Sequence, residues 1–462
     1  MASNPIVTTI LEHSRISSPP GTIGERSLPL TFFDITWLAF PPVHHVFFYR
    51  FPHSKSHFLE TVVPNLKHSL SLTLQHFFPF ASNLFVYPNV DDFGVIRKPE
   101  IRHVEGDYVA LTIAECCLNF NYLTGNHPRE CENFHPLVPP LGDLIKMSDY
   151  VTIPLFSVQV TYFKDSGISI GMTNHHTVAD ASTRLCFLKA WTSIAKSGGD
   201  QSFVMNGSPP VLDRLIDIPK LDEYRLRHTS LETLYQPRSL VGPTKKVRAT
   251  FILSRTNINQ LKKRVLTQIP TLEYISSFTV TCGYIWSCIA KSLVKMGEKK
   301  GEDELEQFII SVDCRSRMNP PIPSTYLGNC GAPCITTIKN VVLTSENGFV
   351  FAAKLISEDI NKMVKNKEGI LKDAERWHEG FKIPARKISV AGTPKLNFYD
   401  IDFGWGKPQK YETISIDYSV GGSVAINASK ESTQDFEIGL SFPNMQMKAF
   451  ADIFNHGLES EI

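Results

Sequence analysis

Between Pro154 and Gly199 the hydrophobic period changes once, and that change restricts the fold more than any other feature of the chain. LFSVQVTYF alternates polar and apolar residues, the period-two pattern of a half-buried strand. GISIGMTNH follows after a KDSG turn, so the pair predicts a hairpin. From Ala179 the period becomes helical, with Leu185, Leu188, Trp191 and Ile194 on one stripe and Gly198-Gly199 as a stop. Strand, turn, strand and helix in that order demand a sheet with at least one helix laid against it, which is a mixed α/β architecture.

The other segments are less regular. After an opening segment (1–26), SLPLTFFDITWLAF reads as an apolar strand or turn and Val46–Phe51 as a short buried strand. Phe58, Val62, Leu66, Leu70, Leu74 and Phe77 mark one face of a long amphipathic helix, which Pro64 should kink or split. Residues 84–150 mix short strands with Pro and Gly turns, and 200–248 carry little periodicity. The second half then offers a strand (Arg248–Leu253), a basic helix (Asn257–Leu266), an apolar helix (Ser277–Leu293) and a charged loop, GEKKGEDELEQ (297–307). The strand-helix order near 46–77 thus recurs, and 462 residues suit two domains of like architecture. We expect domains over 1–205 and 248–462, joined by a crossover at 206–247.

Charge and cysteine content narrow the function classes. Forty-seven basic residues against forty-six acidic ones leave +1, too little to draw nucleic acid or anionic lipid. No run approaches the ~18 apolar residues of a membrane span, and MASNPIVTTILEHSRISSPPG lacks the apolar run of a signal peptide. The nine cysteines are odd in number and contain no C-x-x-C pair, which fits reduced thiols in a cytoplasmic protein. The N-x-S triplets at Asn206 and Asn427 are then chance matches.

Three segments could carry chemistry. Gly167-Ile-Ser169-Ile-Gly171 matches the G-x-S-x-G of serine hydrolases, but that motif needs a sharp strand-to-helix turn, and here the strand runs on past Gly171. His175-His176-Thr177-Val178-Ala179-Asp180 ends a strand and opens a helix. A histidine there has its backbone pinned by the sheet while its ring can face a cleft, and its ordinary pKa near ~6.5 suits proton transfer at neutral pH. The same residues also read as packed histidines followed by an aspartate N-cap. No H-E-x-x-H or Cys/His cluster has ligand spacing, so no metal is expected. Asp402-Phe403-Gly404-Trp405-Gly406 suggests backbone held tightly against a bulky ring, a structural feature when taken alone.

Together, H-x-x-x-D at His176 and Asp180 and DFGWG some 220 residues later resemble the BAHD acyltransferases, plant enzymes that transfer acyl groups from coenzyme A. Tyr326-Leu327-Gly328-Asn329-Cys330 is similar to the YFGNC of the branch acting on anthocyanins and other flavonoid glycosides, with Leu327 in place of Phe. LEHSRISSPPGTIGERSLPLTFFDITWL and NHHTVADASTRLCFLKAWTS resemble the malonyl-transferring members that act on anthocyanin 3-O-glucosides in daisy-family flowers. The resemblance covers essentially the whole chain. It implies two similar-sized domains, each a mixed sheet flanked by helices as in chloramphenicol acetyltransferase, with a channel between them. Coenzyme A would enter one face, the acceptor the other, and the histidine would sit midway.

The resemblance makes His176 the general base and gives Asp180 a structural role, paired with Arg315 of Asp313-Cys314-Arg315-Ser316-Arg317. It makes Asp402, Gly404, Trp405 and Gly406 structural as well. Malonyl-CoA would be a co-substrate, with no permanently bound cofactor, and the acceptor a flavonoid glucoside met by a monomer. A malonyl carboxylate cannot be buried cheaply without a cation, and an arginine fork grips both of its oxygens. Arg184, four residues beyond Asp180, is the first choice, against the reading of an exposed helix-face arginine; Arg317 and Arg386 come next. Hydroxycinnamoyl-transferring relatives, the alternative within the family, tend to carry a bulky aromatic before DFGWG, where Ser389-Val390-Ala391-Gly392-Thr393-Pro394 are small. Ser389 is a candidate hydrogen-bond donor to the oxyanion. Lys262, Lys263 and Arg264 could meet the 3'-phosphate of coenzyme A, or simply be a solvated helix face.

Overall fold

The hairpin forms, but it is not half-buried. In the computed structural model, which describes residues 7–87, 97–207, 209–229, 244–299, 301, 303–419 and 421–459, Phe156–Phe163 and Gly167–Asn174 pair antiparallel from Phe156↔Asn174 to Phe163↔Gly167. Both are buried along their whole length. They are the central strands of a six-stranded mixed sheet in the order 8–16, 109–116, 156–163, 167–174, 43–50, 410–413. One face packs on the helices Val63–Leu74 and Ala181–Lys196, where Trp191 Nε1 donates to Ser69 Oγ at 3.1 Å. The other is covered by a strap at 134–140. The polar positions of the alternation bond to that strap: Ser157 donates to the carbonyl of Pro140 (2.8 Å), Gln159 to Pro136 (2.7 Å) and Thr173 to Pro139 (2.6 Å). A Cβ at Gly171 would lie 1.9 Å from the Leu137 carbonyl oxygen, so only glycine lets the strap lie so close.

Three segments take a more specific form than the sequence suggests. SLPLTFFDITWLAF is a short strand, Arg26–Pro29, followed by a helical turn, Phe32–Ile35, because Asp34 Oδ2 accepts from both the N–H (3.0 Å) and the hydroxyl (2.8 Å) of Thr31 and closes the first turn. The charged run at 297–307 is not all loop: the strand Leu305–Asp313 begins inside it, and Glu306 is fully buried against Arg386 and Asn340; Lys300 and Glu302 of that run lie outside the described residues. Pro64 does not break its helix. The chain passes through a π-turn at Phe58–Val62, with Val63 N–H bonded to Phe58 O, and Pro64 enters the first turn of Val63–Leu74, where its missing N–H costs least.

The second sheet has seven strands in the order 331–339, 305–313, 385–391, 423–428, 436–442, 247–253, 129–130. Helices Arg255–Gln268, Ser277–Lys295, Gly348–Val364 and Asn444–Glu459 supply its apolar cover. A third sheet of five short antiparallel strands (26–29, 100–103, 83–86, 151–154, 145–146) flanks the first. Of the crossover expected at 206–247, Pro219–Arg227 is a helix, while residues 208 and 230–243 lie outside the described residues. A further core, containing Phe32, Phe33, Ile322, Tyr326 and Cys330, joins the opening segment to the second half.

The halves also exchange strands. Lys410–Thr413 pairs with Val43–Arg50 in the first sheet, and Arg129–Glu130 pairs with Val247–Arg248 in the second. Buried charges meet at this exchange. Glu412 bonds Arg129 at 2.8 Å and Arg248 at 3.0 Å, and Arg248 also reaches Asp417 at 3.1 Å, each side chain at most 4% exposed. Burial pushes the Glu412 carboxyl up, but the two guanidiniums outweigh it and bring it down to about 2. Glu412→Gln should therefore cost about 3–5 kcal/mol at neutral pH, because two buried cations lose their shared anion. A depressed folded-state pKa gives stability that is full above the unfolded value of 4.5 and lost as the pH falls toward 2. Denaturant titrations between pH 2 and 7 should show a shallower pH slope for the variant than for the parent across that interval.

Candidate active site

The strand Gly167–Asn174 ends where His175 N–H donates to Leu155 O at 2.9 Å, and the helix Ala181–Lys196 starts at its N-cap, Asp180. Between them the two histidines part. The His175 ring is buried, its Nδ1 2.8 Å from Thr177 Oγ1. The His176 ring is only half-buried and lies flat on Trp37, with centroids 3.8 Å apart and planes at 9°. Phe40, 45% exposed, meets it edge-on. His176 Nδ1 stands 3.1 Å from Asn329 Oδ1. Burial, helped by the charge of Arg184, lowers the imidazole pKa to about 4, against the opposing pull of its own carbonyl, Asp180 and Asn329. The ring is therefore neutral at pH 7 and able to accept a proton.

Asp180 does not turn its carboxylate to that ring. Oδ1 accepts from Thr183 N–H at 2.9 Å, and Oδ2 accepts from Arg315 Nη1 at 2.8 Å and from Cys330 N–H at 3.2 Å. Arg315, only 3% exposed, donates further to the carbonyls of Gly328 (3.0 Å) and Tyr326 (3.3 Å). The pair thus fastens loop 326–330 to the start of the helix. Arg184 is not the exposed helix-face arginine that was one reading of it: it is 6% exposed, 5.6 Å from the Phe398 ring, and its charge is felt at His176, His45 and Tyr411. Its Nε is buried with no acceptor, and no carboxylate pairs with it among the described residues.

The other candidates lie apart. Arg386 is held by Glu306 and Glu298, and Arg317 donates to the Asp313 carbonyl. Ser389 donates its hydroxyl to Ser423 Oγ at 3.2 Å. On the helix Arg255–Gln268, Lys263 points to solvent and Lys262 is half-buried, whereas Arg264 turns toward Asn347 and the Phe349 ring. Asp402 ties its own turn, accepting from Gly404 N–H (2.8 Å) and Gly406 N–H (2.9 Å) and bonding Lys196 at the far end of the helix Ala181–Lys196. Both glycines have φ near +90°, which a side chain would strain. Trp405 packs on Phe403, Tyr49 and Phe51. Ser169 is fully buried in mid-strand, with no exposed turn to lift its hydroxyl, which removes the hydrolase reading. Among the described residues no group of three or more His, Cys, Asp or Glu could hold a metal.

A model of the Transferase family matches residues 7–456. A protein of Arabidopsis thaliana named as a BAHD acyltransferase is 31% identical over 96% of this chain and 97% of its own. The chain belongs to the BAHD acyltransferases. Among its relatives in the family, a malonyl-coenzyme A:anthocyanin 3-O-glucoside-6''-O-malonyltransferase of Dahlia pinnata is 70% identical over 98% of each chain. A coumaroyl-CoA:anthocyanidin 3-O-glucoside-6''-O-coumaroyltransferase of Arabidopsis thaliana is 37% identical over 97% of each. The crystal structure of vinorine synthase shares the acyltransferase fold, with a TM-score of 0.68 at 20% identity over 96% of each chain.

Sequence reasoning missed Trp37, Phe40 and Asn329 as neighbours of His176. Asn329 was visible only as part of a subclass motif, and nothing in its spacing placed it beside a residue 153 positions away. The Asp180–Arg315 contact makes a separate prediction for the acyltransferase. Breaking one member of a buried pair leaves the other uncompensated, at a cost of about 3–5 kcal/mol. Asp180→Ala and Arg315→Ala should each lower the melting temperature and, through the loosened 326–330 loop, the activity. An inactive Asp180→Ala enzyme with the parent melting temperature would instead point to a direct part in the chemistry.

Proposed function

We propose that this acyltransferase moves a malonyl group from malonyl-CoA to the 6''-hydroxyl of the glucose of an anthocyanin 3-O-glucoside. The observation that carries the reading is Arg184: a buried guanidinium without a carboxylate, close enough to His176 to depress its pKa. A malonyl carboxylate supplies the missing anion, while an uncharged aromatic acyl chain would leave the cation uncompensated. The 70% identity to the Dahlia enzyme, against 37% to a coumaroyl-transferring relative, supports the same donor and acceptor.

The chemistry needs little from the protein beyond a base and a place. A thioester is already activated, whereas a sugar hydroxyl is a poor nucleophile until its proton has somewhere to go. Nε2 of His176, the ring nitrogen opposite the Asn329 contact, takes that proton as the hydroxyl oxygen attacks the thioester carbonyl. The tetrahedral adduct collapses with cleavage of the C–S bond, and the proton returns from Nε2 to the departing thiolate, leaving ester and free coenzyme A. Transfer is direct, within a ternary complex. Lys262 and Lys263 are the proposed contacts for a coenzyme A phosphate. No step is given to Ser389, whose hydroxyl is engaged by Ser423. We place the enzyme in the cytoplasm as a monomer, which the lack of any disulfide among the described residues supports.

Two measurements test the reading. His176→Ala should lose about 10²–10⁴-fold in turnover while keeping its fold and its affinity for coenzyme A; near-parental turnover would remove the base from the mechanism. Arg184→Ala, assayed with malonyl-CoA and acetyl-CoA on one anthocyanidin 3-glucoside, should raise the KM for malonyl-CoA roughly 10- to 150-fold and barely change that for acetyl-CoA. Arg184→Lys should recover part of the loss, since an ammonium cannot grip two oxygens at once. Equal losses with both donors would mean that Arg184 supports the helix or the coenzyme and not the acyl group.

A further inference from the structure

Asp34 is a fully buried carboxylate with no cation beside it among the described residues. Its donors are all neutral: Thr31 N–H and hydroxyl on Oδ2, and Asn329 N–H (2.9 Å) and side-chain amide (3.0 Å) on Oδ1. Burying an uncompensated negative charge is expensive and in most places would be replaced by a neutral group. Here the charge is aimed, through one amide, at the ring of His176.

The amide has only one workable orientation. Asn329 Nδ2 faces Asp34 Oδ1 (3.0 Å), the His176 carbonyl (2.9 Å) and the Thr177 carbonyl (3.2 Å), all acceptors. Flipping the amide would set its oxygen against these three oxygens and lose every bond. Oδ1 therefore faces His176 Nδ1 at 3.1 Å, and an oxygen there requires Nδ1 to carry the ring hydrogen. Nε2 is left as the lone-pair nitrogen. Free histidine favours the other tautomer, so the site must impose this one.

We infer that Asn329, anchored by the buried Asp34 carboxylate, is the positioning residue that fixes His176 as the Nδ1–H tautomer and steadies the imidazolium formed when Nε2 takes a proton. The inference rests on His176 being the base. It leaves Asp180, whose carboxylate is committed to Arg315, outside the series that orients the ring. Asp34 acts through Asn329 and touches no reacting atom. When the ring becomes positive, Nδ1–H bonds more strongly to an amide oxygen whose N–H₂ end is already held by a carboxylate. Trp37, flat against the ring, keeps it from turning away from this contact.

The tautomer can be read without any turnover. Ring-nitrogen spectra of enzyme carrying ¹⁵N-histidine, with the His176 signals identified by their absence from His176→Ala, should show Nδ1 protonated and Nε2 bare in the parent at neutral pH. In Asn329→Ala, where the ring's own carbonyl is the acceptor left for Nδ1–H, the share of Nε2–H should rise measurably. The kcat of this variant should fall on the order of 10- to 100-fold, with the KM for malonyl-CoA within about twofold of the parent. Asp34→Asn should lie between the two. A purely structural role would lower the melting temperature without moving the ring signals. If Asn329→Ala does not fold, the parent spectrum and Asp34→Asn carry the test. An Nε2–H signal in the parent overturns the inference, as does parental kcat with Nδ1–H retained in either variant. Turnover retained in His176→Ala beside an Nδ1–H parent would remove the base assignment and leave the tautomer assignment standing.

Discussion

Arg315 holds the junction on which the site depends. Its guanidinium sits between the N-cap of one helix and the carbonyls of a loop from the other half of the chain, so a single planar fork joins Asp180, Gly328 and Tyr326. An arginine suits this place because its donors are rigidly spread and always charged, whereas a lysine could satisfy one of these oxygens well but not the set. Because loop 326–330 is fastened there, Asn329 is held where its Oδ1 meets His176 Nδ1, beside the ring's own carbonyl. The aspartate of the motif therefore reaches the histidine through the loop it anchors and through a field that raises the ring's pKa, without touching the ring.

Two kinds of buried charge operate in the molecule. At the strand exchange, Arg129, Arg248, Glu412 and Asp417 neutralise one another where a strand of each half joins the sheet of the other. Around His176 the charges are uncompensated among the described residues: the donors to Asp34 are neutral, and no carboxylate pairs with Arg184. Such groups cost folding free energy and persist where they perform a task, and the tasks proposed for them are to orient an imidazole and to receive a carboxylate. The low pKa of His176 follows from the same enclosure. It keeps the ring unprotonated at neutral pH, and it makes any group that stabilises the imidazolium more valuable to the reaction.

The order of elements from Phe156 to Lys196 was legible because hydrophobic period and turn chemistry are local properties, and they agree there. Burial was not. The polar positions of the hairpin look like a solvated face until the strap at 134–140 is seen accepting their hydrogen bonds, and a contact so distant in sequence leaves no period to read. FFDI was open as strand or turn for a related reason: a single Thr31–Asp34 cap decides for the turn against the strand propensity of its aromatic residues. At the site, His176, Asp180 and DFGWG were identifiable because family motifs preserve spacing. The Asp180–Arg315 pairing was implied by the same resemblance, but the place of Asn329 was not legible, since it depends on which oxygen meets which nitrogen across some 150 residues.

The sequence by itself determined the hairpin–helix unit, the caps that begin and end its helix, the near-neutral charge, and the junction at which a histidine meets the turn. All of these arise from interactions within a few residues or from composition. Only the tertiary structure decided that Lys410–Thr413 crosses to the first sheet, that Arg184 is buried where His176 feels its charge, and that Asn329, held by Asp34, meets the ring at Nδ1. Those outcomes are set by desolvation, because a charge removed from water must find its partner wherever the packed chain has brought one, and that partner's position in the sequence is free.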